Sequence, residues 1–161
     1  MSAFPPALRS VEFWRVSPSG LATDVSIHLE DNEQVDHRQN GLHPGKWFCP
    51  FYVTRQLAPL VLHASQLSQR FPSAETVEFR CEWSGLLERE ISDPDRMGYQ
   101  SGKIARAGQS VTLGEWPVVE LGQSWPDIVS KLGGPVLRLF DPGYDYSTSV
   151  ITNEHLRRLQ R

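Results

Sequence analysis

The clearest pattern in this chain is an alternation of apolar and polar residues over positions 76–83. Val77, Phe79, Cys81 and Trp83 fall on one side, and the charged residues between them fall on the other. In a β-strand successive side chains point to opposite faces, so the pattern predicts a strand with one buried face and one solvated face. The segment predicts structure rather than a catalytic motif.

A second alternation, over residues 21–29, predicts another strand near the N-terminus. Residues 11–17 form the strand predicted before it, and the Ser-Pro-Ser-Gly sequence at 17–20 supplies the turn between them. We expect this hairpin to offer an edge strand through which two copies of the chain dimerise. Residues 1–9 contain two consecutive prolines and are predicted as an irregular lead-in.

Helical periodicity is found in two further stretches. Apolar residues recur every three or four positions over residues 53–71, which predicts an amphipathic helix with a kink or a late start caused by Pro59. Ser124 is a candidate cap for a second helix, and the Gly-Gly-Pro sequence at 133–135 predicts an interruption of it. A terminal helix is predicted over residues 153–161.

Residues 31–50 lack periodicity and are predicted as a long loop, and residues 96–108 as a hairpin connection or a mobile loop. Short strands are predicted at 110–113 and 117–121. The resulting order, β-β-α-β-β-(β)-α-α, predicts an α+β fold in which two or three helices pack on one face of an antiparallel sheet built from hairpins. With 161 residues, the chain 1–161 is expected to form a single domain.

The composition excludes several classes of protein. A net charge of −3 argues against nucleic-acid binding by this module as a whole, although three arginines cluster at positions 157–161. Neither a signal peptide nor an apolar run long enough to span a membrane is found, so no membrane association is expected. Two isolated cysteines, Cys49 and Cys81, favour a reducing and hence cytoplasmic compartment.

Three short segments occur in an order that suggests a family. They are residues 12–20, which contain W-R-x-x-P-x-G, then residues 29–31, and residues 79–89, which contain F-R-x-x-W-x-G-L-x-x-R and end at Arg89. Together they resemble the region C-terminal to the AlbA_2 (Schlafen-like) domain of bacterial proteins described as DNA-binding or helix-turn-helix regulators. The resemblance covers most of the chain, and the AlbA_2 domain itself is not found in it. It implies a trailing sensor or interaction module.

Candidate metal and catalytic residues form no recognisable motif. His37, His43, Asp36 and Cys49 are suitable zinc ligands in type, but their spacing matches no zinc motif. His28 falls on the polar face of its strand and is interpreted as a surface residue. No nucleophile elbow or phosphate-binding loop occurs, so neither a catalytic residue, a metal nor a cofactor is predicted.

Aromatic residues are the strongest candidates for binding. Trp47 and Phe48 lie in the long loop, Trp116 starts a predicted strand, and Tyr144 lies in a tight loop. Trp14 faces away from its neighbour Phe13, so one of these two should cover a second layer or a partner. Such residues bind ligands or partners in some proteins and anchor loops onto the core in others. Both interpretations remain open at this point.

The sequence therefore leads to three functional hypotheses. The main one is a non-catalytic sensor or interaction module of a bacterial regulatory or defence-type protein, which binds a protein partner, its own copy or a small ligand. The alternative is a small enzyme whose site lies between the loops 31–50 and 93–108, with a titratable group of shifted pKa in a polar pocket. A nucleic-acid-binding module that uses the C-terminal arginines is the third possibility.

Overall fold

The computed structural model of this chain describes residues 13–16, 20–25, 28, 31, 43–93, 99–148 and 150–153. The strands are β1 (Phe13–Val16), β2 (Ala22–Val25), β3 (Trp47–Phe48), β4 (Thr76–Ser84), β5 (Glu90–Asp93), β6 (Tyr99–Ile104) and β7 (Gln109–Pro117). The helices are α1 (Pro50–Ser68) and α2 (Trp125–Arg138), with a 3₁₀ helix at Val118–Glu120 and further helical residues at 148 and 150–153. This mixture confirms the predicted α+β class. The predicted lead-in at 1–9 lies outside the described residues.

The described strands form three small sheets. β1 and β2 make the predicted antiparallel hairpin, and β4 pairs with β7 in antiparallel fashion along nine residues. In the third sheet β5 lies between β3 and β6, and its pairing with β3 is parallel. Gly85 separates β4 from β5 with a φ of 67°. Glycine adopts this left-handed conformation without penalty, so the chain can turn here from the β4–β7 sheet towards the β3–β5–β6 sheet.

Strand β4 confirms the alternation seen in the sequence. Phe79, Cys81 and Trp83 are buried, and the residues on either side of each are exposed. The two short strands predicted at 110–113 and 117–121 are wrong in detail, since β7 is one continuous strand that ends at Pro117. The pattern of β7 is obscured because its inner face carries Ser110, Thr112 and Gly114, whereas the apolar Val111 and Leu113 are exposed.

The predicted loop 31–50 ends earlier than expected. Trp47 and Phe48 form β3, and α1 already begins at Pro50, while residues 32–42 lie outside the described part of the chain. The predicted loop at 96–108 contains the whole of β6. A strand of two residues shows no period, and its partner β5 lies more than 40 residues away, so local sequence gives no signal for it.

Both long helices run through the prolines that were expected to disturb them. Helix α1 continues past Pro59, so the predicted late start is wrong, and α2 continues through residues 133–135, so the predicted interruption is also wrong. A Cβ on Gly133 would lie 2.7 Å from Val53 Cγ1 of α1. Gly133 therefore marks the point where the two helices approach closely.

The main core lies between α1, α2 and the inner face of β4, and it includes fully buried residues from both helices. Thr54 of α1 and Tyr146 share a buried hydrogen bond of 2.8 Å between their hydroxyl groups, which fixes the segment after α2 to the core. None of the helices in the described part of the chain has the length and apolar character needed to cross a membrane.

Candidate ligand-binding cleft

A cleft of about 700 Å³ opens between β2, β4 and α1. It falls within the usual size of small-molecule and peptide-side-chain pockets. Its walls combine apolar, aromatic and charged side chains from elements that are distant in sequence. The lining residues are Thr23, Val25, His28, Asp31, Gln56, Leu57, Leu60, Arg80, Cys81, Glu82, Trp83, Ser84, Gly85 and Arg89.

The cleft follows the edge of β4 rather than one of its faces. Arg80, Glu82 and Ser84 point outward, whereas Cys81 and Trp83 point into the core, yet all five line the cleft. A cleft can be lined by side chains from both faces of a strand only if it lies along the edge of that strand. Strand β7 occupies the other side along the whole length of β4, so the cleft lies along the edge that no described strand covers.

A buried arginine holds the end of this cleft together. The guanidinium group of Arg89 forms a forked pair with Asp31, with Nη1 at 2.8 Å from Oδ1 and Nη2 at 2.5 Å from Oδ2. Its Nε donates to the carbonyl of Gly85 at 2.6 Å, and Nη1 also donates to the carbonyl of Trp47 at 3.0 Å. The side chain thereby joins three segments of the chain. The bonds of Nε, Nη1 and Nη2 thus satisfy each nitrogen of the buried guanidinium.

The ion pair also controls the charge of Asp31. Burial disfavours the ionised carboxyl, but the hydrogen bonds from Arg89 and from the backbone N–H of Gly45 outweigh it, so the pKa of Asp31 lies below its ordinary value. Asp31 is therefore a carboxylate at neutral pH and accepts hydrogen bonds from both partners.

His28 lies inside the cleft and not on the surface that its strand pattern predicted. Its Nε2 donates to the carbonyl of Ser84 at 2.7 Å, and its ring stacks on Trp83 with centroids 6.2 Å apart. Burial lowers the pKa of His28, and the nearby guanidinium of Arg89 acts in the same direction, against the raising effects of the Ser84 carbonyl and of Asp31. The imidazole is therefore held in its neutral form.

Trp83 forms the aromatic wall of the cleft. It packs edge to face against Phe48 and is 9% exposed. Its indole Nε1 is buried and has no hydrogen-bond acceptor among the described residues. An unsatisfied buried donor costs about 1–3 kcal/mol. Ser92 Oγ and Thr112 Oγ1, which do not line the cleft, also lack a partner among the described residues.

Cys81, in the same wall, is not an activated nucleophile. Burial raises the pKa of its thiol to about 11, whereas nucleophilic cysteines have a lowered pKa. The cleft thus contains a neutral imidazole, a paired carboxylate and a protonated thiol. The raised pKa of the thiol disfavours nucleophilic attack by Cys81, and the lowered pKa of the carboxyl disfavours proton transfer by Asp31 near neutral pH.

The aromatic residues predicted from the sequence occupy other places. Trp47 and Phe48 are buried, with 2% and 1% exposure, which favours the anchoring interpretation for both. Trp116 is partly buried, with its ring over Gly114, and Tyr144 is partly buried against the main core. Trp14 lies in β1 opposite Asp24, and its side chain lies outside the described part of the structure.

The sequence analysis missed the residues that form the cleft. Arg89 and Asp31 occurred in the quoted family segments but carried no signal of a shared role, since they are 58 positions apart. The burial of Arg89, four residues after Gly85, becomes visible only in the structure. Of the two loops in the enzyme alternative, 31–50 contributes Asp31 to the cleft lining, and the lining residues include none from 93–108.

Of the four candidate zinc ligands, His43 and Cys49 belong to the described residues. Within the described ranges, no three or more His, Cys, Asp or Glu side chains come together in a group that could hold a metal ion. Asp36 and His37 lie outside these ranges. Comparisons with family models, with curated proteins and with solved structures found no match to this chain.

Proposed function

We propose that this chain is a non-catalytic sensor or interaction module of a bacterial regulatory or defence-type protein, and that the cleft along β4 is where it binds a protein partner or a small ligand. The family resemblance of residues 12–20 and 79–89 supports the regulatory context, including a cytoplasmic location and an association with AlbA_2 proteins. The observation that carries the proposal is the cleft itself, in whose wall the buried indole N–H of Trp83 has no acceptor in the described structure.

The bonding of the polar groups supports binding without catalysis. Asp31 is fully engaged by Arg89 and Gly45, and His28 is engaged by the carbonyl of Ser84. Because its pKa is lowered, Asp31 is a weak base near neutral pH, and its hydrogen bonds fix the shape of the site. The enzyme alternative would need a polar pocket between 31–50 and 93–108, and no described contact favours one there.

The test is an NMR titration of the ¹⁵N-labelled chain with a library of water-soluble fragments, each carrying one aromatic ring and one carbonyl group. We expect bound fragments to shift the amide signals of His28 and residues 80–85 and the indole signal of Trp83. The Trp83→Phe variant, which keeps an aromatic ring but removes the donor, should weaken binding about tenfold. The matched variant Trp125→Phe, outside the cleft lining, should bind as the wild type does. Fragments that bind only elsewhere, or none that bind, would overturn the proposal.

A further inference from the structure

We infer that the natural occupant of the cleft is an extended peptide segment of a partner protein, which adds as a new strand to the edge of β4 that no described strand covers. This inference rests on the proposed function, because it assumes that the cleft is a binding site. It goes further by naming the chemical class of the partner and the way in which it binds.

The shape of the cleft is the first argument. It touches six consecutive positions, 80–85, and therefore runs along about 17–20 Å of backbone at the usual rise of a strand. A compact small molecule contacts a few side chains, whereas an extended segment can follow an edge of this length. Strand edges with unpaired N–H and C=O groups are the established place for such β-addition.

The opposite wall supports the same occupant. Thr23 and Val25 of β2 face the cleft across from β4, and Val25 is exposed. The cleft is thus bordered by a strand on each side, and the inserted segment would lie between them. The bond from His28 to the carbonyl of Ser84 closes one end of the cleft, so the added strand is limited to the stretch before it.

The walls also specify the side chains of the peptide. On the inner side lie Leu57 and Leu60 of α1 together with Trp83, which favour apolar residues. On the outer side lie Arg80 and Glu82, which form an exposed ion pair with each other at 3.3 Å, and Glu82 also accepts from Gln109. Exposed ion pairs are weak, so partners on an added strand can compete for these two side chains. In a paired strand, side chains directly opposite each other interact, so the complementary peptide carries an acidic residue opposite Arg80 and a basic residue opposite Glu82. Apolar residues alternate with these two.

The test uses a pool of synthetic octapeptides with Val, Ile or Leu at even positions and Glu, Lys, Ser or Thr at odd positions. Two further pools carry backbone N-methyl groups, one at the even positions and the other at the odd positions. In a strand the N–H groups that face the neighbour belong to every second residue. We therefore expect the amide signals of residues 80–84 to respond to the unmodified pool and to one methylated pool, with the other methylated pool at least about tenfold weaker.

A matched pair of variants places the peptide in the cleft. Val25→Lys puts a charged side chain on the wall opposite β4 at an exposed position, so folding should be unaffected and peptide binding should weaken by about tenfold or more. Val119→Lys makes the same change at an exposed position outside the cleft lining and should bind as the wild type does. Equal weakening by both variants would overturn the inference.

The remaining outcomes separate this inference from the proposed function. If both methylated pools bind equally well, or if no peptide pool binds while aromatic fragments still shift the cleft signals, strand addition is wrong and the cleft remains a ligand site. If the same signals shift when the chain itself is concentrated, the added strand comes from a second copy and the partner peptide is wrong. If neither fragments nor peptides act on the cleft, both proposals fail.

Discussion

At the residue scale, Arg89 has the largest effect on the geometry of the cleft. It is 4% exposed, and its hydrogen bonds connect Asp31, Gly85 and Trp47, which belong to three separate segments. A buried ion pair adds little net stability compared with an apolar pair, but the loss of one partner leaves the other charge and its acceptors unsatisfied. The integrity of the cleft therefore depends on both members of the pair.

Replacement of Arg89 is predicted to destabilise the chain strongly. In Arg89→Met, Asp31 and the two backbone carbonyls lose their donor in a largely buried site, and the free energy of unfolding should fall by about 3–5 kcal/mol. Urea denaturation followed by circular dichroism measures this change. The control Arg80→Met, at an exposed arginine of the same wall, should change stability by no more than about 0.5 kcal/mol. Similar effects of the two variants would contradict the role assigned to Arg89.

His28 is predicted to make stability depend on pH in the weakly acidic range. Its pKa in the folded state lies below the ordinary value of 6.5, so the unfolded chain takes up a proton more readily than the folded chain. The free energy of unfolding is therefore not reduced by His28 above pH 6.5. It falls as the pH is lowered from 6.5 towards the pKa of His28 in the folded state.

The His28→Gln variant tests this dependence, since glutamine can still donate to the carbonyl of Ser84 but does not titrate. Urea denaturation at about pH 7 and about pH 5 should show a smaller loss of stability in the variant than in the wild type. His63→Gln, at an exposed position of α1, is the matched control and should keep the wild-type loss. A wild-type loss that His28→Gln leaves unchanged would contradict the buried position of the imidazole.

At the scale of elements, the sequence predicts the strands whose apolar and polar residues alternate regularly. The alternation around Phe79 and Trp83 identified β4 and its buried face, and the turn at 17–20 identified the hairpin. Predictions from local sequence were wrong where contacts between distant residues determine the structure. Gly133 indicated a break, but it is retained in α2 because the helices cross there and a side chain would collide with α1.

Two adjacent glycines of α2 are therefore predicted to respond in opposite ways. In Gly133→Ala the new methyl group would lie 2.7 Å from Val53 Cγ1 and from Tyr146 Cε1, which should cost about 1–3 kcal/mol in spite of the better helix propensity of alanine. In Gly134→Ala the nearest atom is Nη1 of the flexible Arg138 side chain at 3.0 Å, so stability should be unchanged or rise by up to about 1 kcal/mol. Thermal unfolding of both variants measures the difference. The packing described for α1 and α2 is wrong if Gly133→Ala is the more stable of the two.

At the scale of the whole molecule, the cleft could not be predicted because its parts are distant in the chain. Asp31 and Arg89 are 58 positions apart, and Ser84 and His28 are 56 apart. Each residue looks ordinary in its own segment, and only the fold brings them together. The α+β class was predictable from element order, whereas the separation of β4 and β5 into different sheets follows a turn at Gly85 and was not predicted.

The two interpretations of the loop aromatic residues, binding and anchoring, illustrate the same limit. Trp47 and Phe48 lie in a segment without periodicity, so their sequence context is equally consistent with a surface loop and with a short buried strand. In the structure these two residues form a short strand, which pairs in parallel with β5, and both side chains are buried. The aromatic residue that lines the cleft is Trp83, whose strand pattern pointed to a structural role.

The most direct test of the central claim, that one edge of β4 is open to a partner strand, is residue-resolved hydrogen exchange of the free chain by NMR. Along residues 80–84 the amides that face β7 should be protected and the alternate amides, which face the cleft, should exchange fast. The octapeptide pool should then slow exchange at these alternate amides alone. Uniform protection along residues 80–84 in the free chain would contradict the account, because it would show that the edge is already covered.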